Sequence, residues 1–550
     1  MQFVQSTRAP RAGYSISARR RHRRRAAHAI PPGAASPRAM PLAGTPGFFP
    51  RPSAAWPPAR FRDLFTGTFV MTQAMPLLFD FSPFVGQSER YVELIKQFSA
   101  AHAFRSAHVS ELLLEDDFHR RPLRPEDFEF LKFQKPVRMH NVSRLPALAS
   151  GRTLLSIYEL GVARLPRSAD AEEWQHFSGF YGDDVQVFGA QIVPFLEAYA
   201  FEYLSQEQAL EAEPAAAAAR LKRIIDDETA FWGENFARLM RNDYLQEGLR
   251  FITVQRWALA PSKRRALARA TASGFLDMLP ESLRPQLQGD LPSDALLEKV
   301  AASVGVTRQQ HAYWQFYLPT STAKANLLYA LGRRPDRAFG LVGAAFAAEA
   351  EWLAFGAALE RACAHLVPAG REPGEFARRA DELVARFEQA LRTIAAQFGT
   401  PAYTQAVQGA AAAERLCERA RWDLGEQLLW LSSIRHYIKF AHRISDRIDV
   451  ECPGIDRETF VEPFEMCSTT HVHNDHRLVT IEEGQMLFWG NVGMQLKMNV
   501  GDKVLIPDGR LHGSTVLSGE CTYHQPIIPN DWVQALVAEL DANAKAGASA

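Results

Sequence analysis

Near residue 450 the hydrophobic period of this chain changes, and that change limits the fold more than any other feature. From about 85 to 445, apolar residues recur at three- and four-residue spacing, as in "FGAQIVPFLEAYAFEYLSQEQAL" (188–210) and "PAAAAARLKRIIDDETAFWGENFARLMRNDYL" (214–245). This is the period of a helix with one buried face. The second run opens with proline and alanines, which suit helix starts and interiors. "DRAFGLVGAAFAAEAEWLAFGAALERACAHLV" (336–367) is apolar almost all round. It is expected at the centre of a bundle, where small Gly and Ala let neighbours approach. Pro/Gly punctuation at "LRPQLQGDLPSD" and "VPAGREPGEF" separates helices. No repeat of fixed period occurs, which argues against a solenoid.

After "IDVECPGIDRETFVEPFEM" (448–466) the texture is short alternating runs, "RLVTIE", "QMLFWG", "MQLKMN", "DKVLIP", "GSTVLS" and "CTYHQPII", separated by glycines and polar turns. That pattern predicts a small antiparallel barrel or sandwich. The final "NDWVQALVAELDANAKAGASA" reads as a terminal helix with a loose end. The expected organisation is a basic, disordered leader over 1–70, helical domains over 75–450, a β module over 455–532, and a C-terminal helix and tail over 533–550. The class is α+β and multidomain, an all-α region followed by a β-barrel.

The formal net charge of zero hides an asymmetry. Residues 1–62 hold twelve arginines and no acid, including "RRRHRRR" at 19–25; without them 50 basic residues face 62 acidic ones, a balance of −12. Phosphate binding needs clustered cations, so no nucleic-acid partner is expected outside the leader. The leader has the composition of a basic tail or transit peptide, and lacks the apolar stretch of a secretion signal. The reading adopted is upstream sequence translated from an early start, with Met71 or Met75 as the beginning. No apolar run approaches the roughly 20 residues that span a bilayer, so no membrane partner is expected. The five cysteines are odd in number and lack Cys-x-x-Cys spacing. They suggest reduced thiols in a cytoplasmic protein.

One stretch carries chemistry: "THVHNDHRLVTIEEG" (470–484). His471 and His473 are two apart, so on a strand they project from one face and can share a metal. In "GDKVLIPDGRLHGS" (501–514), Gly501, Pro507, Gly509 and His512 fall at a spacing that resembles the second motif of the cupin family, and the first stretch, ending at Gly484, resembles the first motif. The resemblance covers roughly 455–530. It implies a cupin barrel in which His471, His473 and His512 converge on one metal. Imidazole nitrogens suit iron, zinc, copper or nickel. The glutamate that usually follows the second histidine by four or five residues is absent, its positions being Arg477 and Leu478. Glu465 and Val516 are lesser departures. His476, three residues after the pair, and His524 with its neighbour Tyr523 on the last strand are candidates for the substrate pocket.

A three-histidine cupin behind a long helical segment resembles the N-nitrosourea-forming metalloenzymes of streptozotocin biosynthesis. That resemblance implies a helical dimerisation region, a haem-oxygenase-like di-iron bundle that hydroxylates nitrogen on an N-methylated arginine, and a cupin whose mononuclear iron, with O2, makes an N–N bond. Three imidazoles also accept zinc or manganese. The di-iron centre is not expected here. No complete His-x3-Asp-x2-His copy occurs; the closest, His442, Asp446 and Asp449, ends in aspartate and reads as a solvated face ion-paired through Arg443 and Arg447. Glu197, Glu228, Glu349 and Glu351 lie in helices that read as buried, yet the position three after Glu228 is Phe231, not histidine. His108, Glu111, Glu115 and His119 share a helical face at a spacing a metal can use, but "ELLLEDD" between them reads as an ordinary amphipathic helix end.

The function expected is a non-haem iron, O2-dependent oxygenase acting on a small nitrogenous, amino-acid-derived metabolite, in a homodimer. The alternatives are a non-catalytic cupin that binds or senses a small molecule, and a zinc or manganese isomerase.

Overall fold

The structure, a computed structural model, describes residues 2–3, 78–99, 135–159, 171–180, 182–205, 210–287, 294–307, 313–367, 374–464 and 466–548. Almost all of the leader, Met71, Met75, the His108–His119 face and Glu465 therefore lie outside the described residues. Of the leader, Gln2 and Phe3 are described, pairing antiparallel with Lys497 and Leu496.

Helices run to Glu451 and strands take over from Thr459, so the change of period marks a change of architecture. The helices that matter most for the site are α1 (Leu145–Tyr158), α2 (Pro214–Arg241), α3 (Leu245–Thr253), α4 (Ala260–Ala272), α5 (Pro319–Gly332), α6 (Ala338–Ala362), α7 (Glu375–Ser432) and α8 (Ile434–Glu451). A π-helical turn, Val254–Ala258, joins α3 to α4. The α7 segment is two helices meeting at a kink, where Gly399 has φ 79° and Pro401 follows. Proline cannot continue the helical ladder, and glycine takes the left-handed backbone with least strain.

The apolar-all-round segment is α6, and it lies at the bundle centre between α2 and α7. Its small residues have a steric reason. A Cβ on Gly343 would stand 1.9 Å from the Ala406 carbonyl oxygen, and one on Gly409 would stand 2.0 Å from that of Gly340. The backbones of α6 and α7 touch there. By length and composition Pro335–Ala362 could cross a membrane, which the sequence reading did not anticipate, but 83% of its most apolar window is buried within the bundle.

The β module is antiparallel throughout, as alternation predicts. Its strands are β1 (Thr459–Pro463), β2 (Cys467–His471), β3 (His476–Glu483), β4 (Gln485–Asn491), β5 (Met494–Asn499), β6 (Lys503–Ile506), β7 (His512–Val516), β8 (Glu520–His524) and β9 (Ile527–Ile528). They form two sheets: β5-β4-β7-β2, with Gln2–Phe3 on the β5 edge, and β9-β3-β8-β1, with β6 also paired to β3. The strand pairing does not close into one ring among the described residues. Met486, Phe488 and Leu496 fill the interior, each 1% exposed. The motif glycines Gly484, Gly501 and Gly509 all have positive φ, at 79°, 84° and 72°. At Gly484 a Cβ would also stand 2.1 Å from the Glu520 carbonyl.

Candidate metal centre

β2 and β7 are neighbours, and His471 is the register partner of His512. His473 follows two residues after His471, past the end of β2, and turns back to the same side. The three rings meet with centroids 4.5–4.9 Å apart, and their candidate ligand nitrogens all lie within 4.8 Å of one another. His471 Nε2 and His473 Nε2 are 3.3 Å apart.

His512 is held in a ligand-ready state. His512 Nδ1–H donates to the Arg510 carbonyl at 2.8 Å, which leaves Nε2 unprotonated. That Nε2 is buried and has no hydrogen-bond partner. A buried polar atom left unpaired is costly, and an imidazole anchored through its other nitrogen is the usual form of a metal ligand. Burial, with the other two histidines beside it, carries His512 well below the ordinary imidazole range. Burial, then His471 and Arg477, lowers His473 to about 2. Both rings are neutral at physiological pH, as metal binding requires. His471 and His473 are half-buried and His512 is buried, so the cluster opens on the side of the first pair.

The other sequence candidates point elsewhere. His476 is buried and uses both ring nitrogens: Nδ1 accepts from the Asp508 N–H, and Nε2 bonds Asn530 Oδ1, each at 2.9 Å. It ties β3 to the loop before His512 and to the terminal helix. His524 bonds Thr459 Oγ1 at 2.9 Å and faces Glu482 at 3.0 Å. Tyr523, on the opposite face of β8, donates to Glu462 Oε1 at 3.2 Å and stacks on Phe460.

Two neighbours of the triad lay beyond the sequence reading. The Gln525 amide is 3.3 Å from His473 Nε2. It follows the end of β8, where strand parity no longer predicts direction. Gln427, on α7, holds the ligand loop through Gly509 O (2.8 Å) and the Leu511 N–H (3.2 Å). Arg477, one of the two positions where the cupin resemblance leads one to expect a glutamate, is ion-paired to Asp475 and Glu458.

The helical body grips both ligand-bearing segments. Arg152 on α1 donates to the Thr470 carbonyl, next to His471. The Asn474 side chain accepts from the Leu145 N–H at the start of α1. Arg510 pairs with Glu426 of α7, and Trp430 Nε1 donates to the Leu505 carbonyl.

A second donor group lies inside the bundle: Glu228 on α2, Glu351 on α6 and Cys417 on α7, all buried and mutually within 4.8 Å. It does not fit a di-iron centre. Glu351 is engaged by Arg256 and Lys324, with the Lys263 ammonium at 3.9 Å. Glu228 accepts from Trp232 Nε1 at 2.9 Å and Arg421 at 3.1 Å. Burial, opposed by Lys324, pushes the Cys417 thiol up to about 12, so it is no thiolate. Two metal ions would have to enter among four fixed cations. Of the remaining carboxylates, Glu197 binds Tyr158 and Arg333, and Glu349 faces Gln286 and Arg379. His442, Asp446 and Asp449 are exposed. Asp449 pairs with Arg457, and Arg443 and Arg447 pair with Glu539 and Glu451, so the ion pairs differ from those expected on this face.

A helical body gripping an antiparallel β module with three converging imidazoles defines a class of architecture with the donor set of a mononuclear metal site. In sequence the chain is 25% identical over 427 residues, 75% of this chain and 90% of the other, to nitrosourea synthase of Streptomyces achromogenes subsp. streptozoticus. A match of that length extends far beyond the β module, so the likeness includes the helical body. No family model matches the chain.

Proposed function

We propose that the chain is a metalloenzyme of specialised metabolism that binds one iron ion through His471, His473 and His512, and uses dioxygen to form an N–N bond in a small amino-acid-derived substrate. The observation that carries the reading is the buried, partnerless Nε2 of His512, aligned with two further imidazoles by a carbonyl that fixes its tautomer. The likeness to nitrosourea synthase supports the reaction class.

Bound iron would supply open coordination positions for substrate and dioxygen, and a redox-active centre. The chain's own part is electrostatic and positional. Three neutral imidazoles leave the charge of a dication uncompensated, and the two positions of the usual carboxylate hold Arg477 and Leu478. The site therefore favours an anionic or chelating group, such as an amino-acid carboxylate. The Gln525 amide, beside His473, is placed to orient that group by hydrogen bonding. The interior cluster of Glu228 and Glu351 contributes no metal step, because its carboxylates are held by protein cations.

The test is anaerobic purification and Fe(II) reconstitution, followed by O2-uptake measurements with arginine-derived and other amino-acid candidates. Substrate-dependent uptake with an N–N-bonded product, lost in His473→Ala, is the expected result. Iron bound at full stoichiometry without turnover of any such substrate would reject the reaction. Undiminished metal content in His473→Ala would reject the site.

A further inference from the structure

The ion cluster inside the helical bundle does not balance. Arg256, Lys263, Lys324 and Arg421 face two buried carboxylates, Glu228 and Glu351. A third, Asp227, reaches only the outer side of Arg421 and is 58% exposed, where water screens it. Uncompensated buried charge is among the costliest features a fold can carry.

Between these groups is a cavity of ≈ 20 Å³, whose polar lining is the four cations Arg256, Lys263, Lys324 and Arg421, the two carboxylates Glu228 and Glu351, and Gln255 and Ser321. That is room for about one water-sized occupant. Arg256 is 4% exposed, and its Nε and Nη2 are buried without hydrogen-bond partners. Its guanidinium lies against the rings of Trp232, Trp352 and Phe355, at 4.5–5.5 Å. Those faces attract the cation but supply no countercharge.

We propose that this cavity is a small-anion site, taking one halide-sized monoanion as the countercharge that Glu228 and Glu351 do not provide. The protonation states agree. Burial and the neighbouring Glu351 raise Glu228, which weakens it as a countercharge. Burial lowers Lys263 to about 8, leaving it still charged near neutral pH. The site has the opposite polarity to a metal centre: its surplus charge belongs to the protein and its ligand is the anion.

Crystals of the full-length protein grown in sodium bromide test this directly. Anomalous density is expected within hydrogen-bond reach of Arg256 and Lys324. At constant ionic strength, replacing gluconate by chloride is expected to raise Tm by about 2–4 °C. In Lys263→Met, which removes one cation and keeps the aliphatic stem, the rise should fall below about 1 °C. Absence of bromide density from the cavity overturns the proposal whatever the melting curves show, and so does a metal equivalent there that survives His473→Ala.

Discussion

His512 does two things at once: its Nδ1–H satisfies the Arg510 carbonyl, and its Nε2 remains bare in a buried place. The next residue sets how closely the strands pack around it. A Cβ on Gly513 would stand 2.6 Å from Trp489 Nε1 and 2.7 Å from the Ser468 carbonyl. Trp489 Nε1 in turn donates to Thr470 Oγ1 at 3.0 Å, one residue from His471. Gly513→Ala is therefore expected to destabilise the protein by about 1–3 kcal/mol and to weaken metal binding, as read by urea denaturation and metal titration; unchanged values would contradict this packing. At this scale the three-histidine grouping was legible through the resemblance of the two motifs, whose positive-φ glycines are a local property; strand parity alone did not give it, since His473 lies past the end of β2. The direction of His476 was not, since it depends on Asn530 and Asp508, 54 and 32 residues away.

Among the elements, the α6–α7 contact carries the bundle. Gly343→Ala pushes a methyl into the Ala406 carbonyl, where backbone cannot yield as a side chain can. A loss of at least about 1–3 kcal/mol is expected in chemical denaturation; a neutral result would contradict the close approach. A second expectation concerns pH. Asp423 on α7 is fully buried, accepts from Thr320 Oγ1 at 2.8 Å, and is raised by burial to about 6, against the opposing Thr320 bond and Arg419. The folded state therefore holds this proton more tightly than the unfolded chain. Its contribution is complete below the ordinary aspartate value and is lost as pH rises through about 6, a difference of about 3 kcal/mol. Asp423→Asn should remove that slope between pH 4 and 7 in denaturation series; an unaltered slope would contradict the assignment. Helix period and the buried character of Glu228 and Glu351 were readable from the sequence. Which cations meet those carboxylates was not, because Arg256 and Glu351 are 95 residues apart and Arg421 and Glu228 are 193.

For the whole molecule, the consequence is that the β module does not hold its ligands alone. α1 grips the 470–474 segment and α7 grips the 505–511 segment, so the helical body fixes both approaches to the triad. Gln427→Leu leaves the Gly509 carbonyl and the Leu511 N–H unpaired in a buried place. It is expected to weaken metal affinity at least about tenfold with helical content intact, measured by chelator competition and circular dichroism; unchanged affinity would separate the body from the site. The change of hydrophobic period announced two architectures, but nothing in the local pattern told how they lock together, since every clamp joins residues far apart in the chain. The central claim is that His471, His473 and His512 share one ion. X-ray absorption on the anaerobically purified, iron-reconstituted protein tests it most directly. One equivalent of metal with nitrogen donors at about 2 Å is expected, abolished in His512→Ala. A full equivalent retained in that variant, or a donor shell without imidazole, would contradict it.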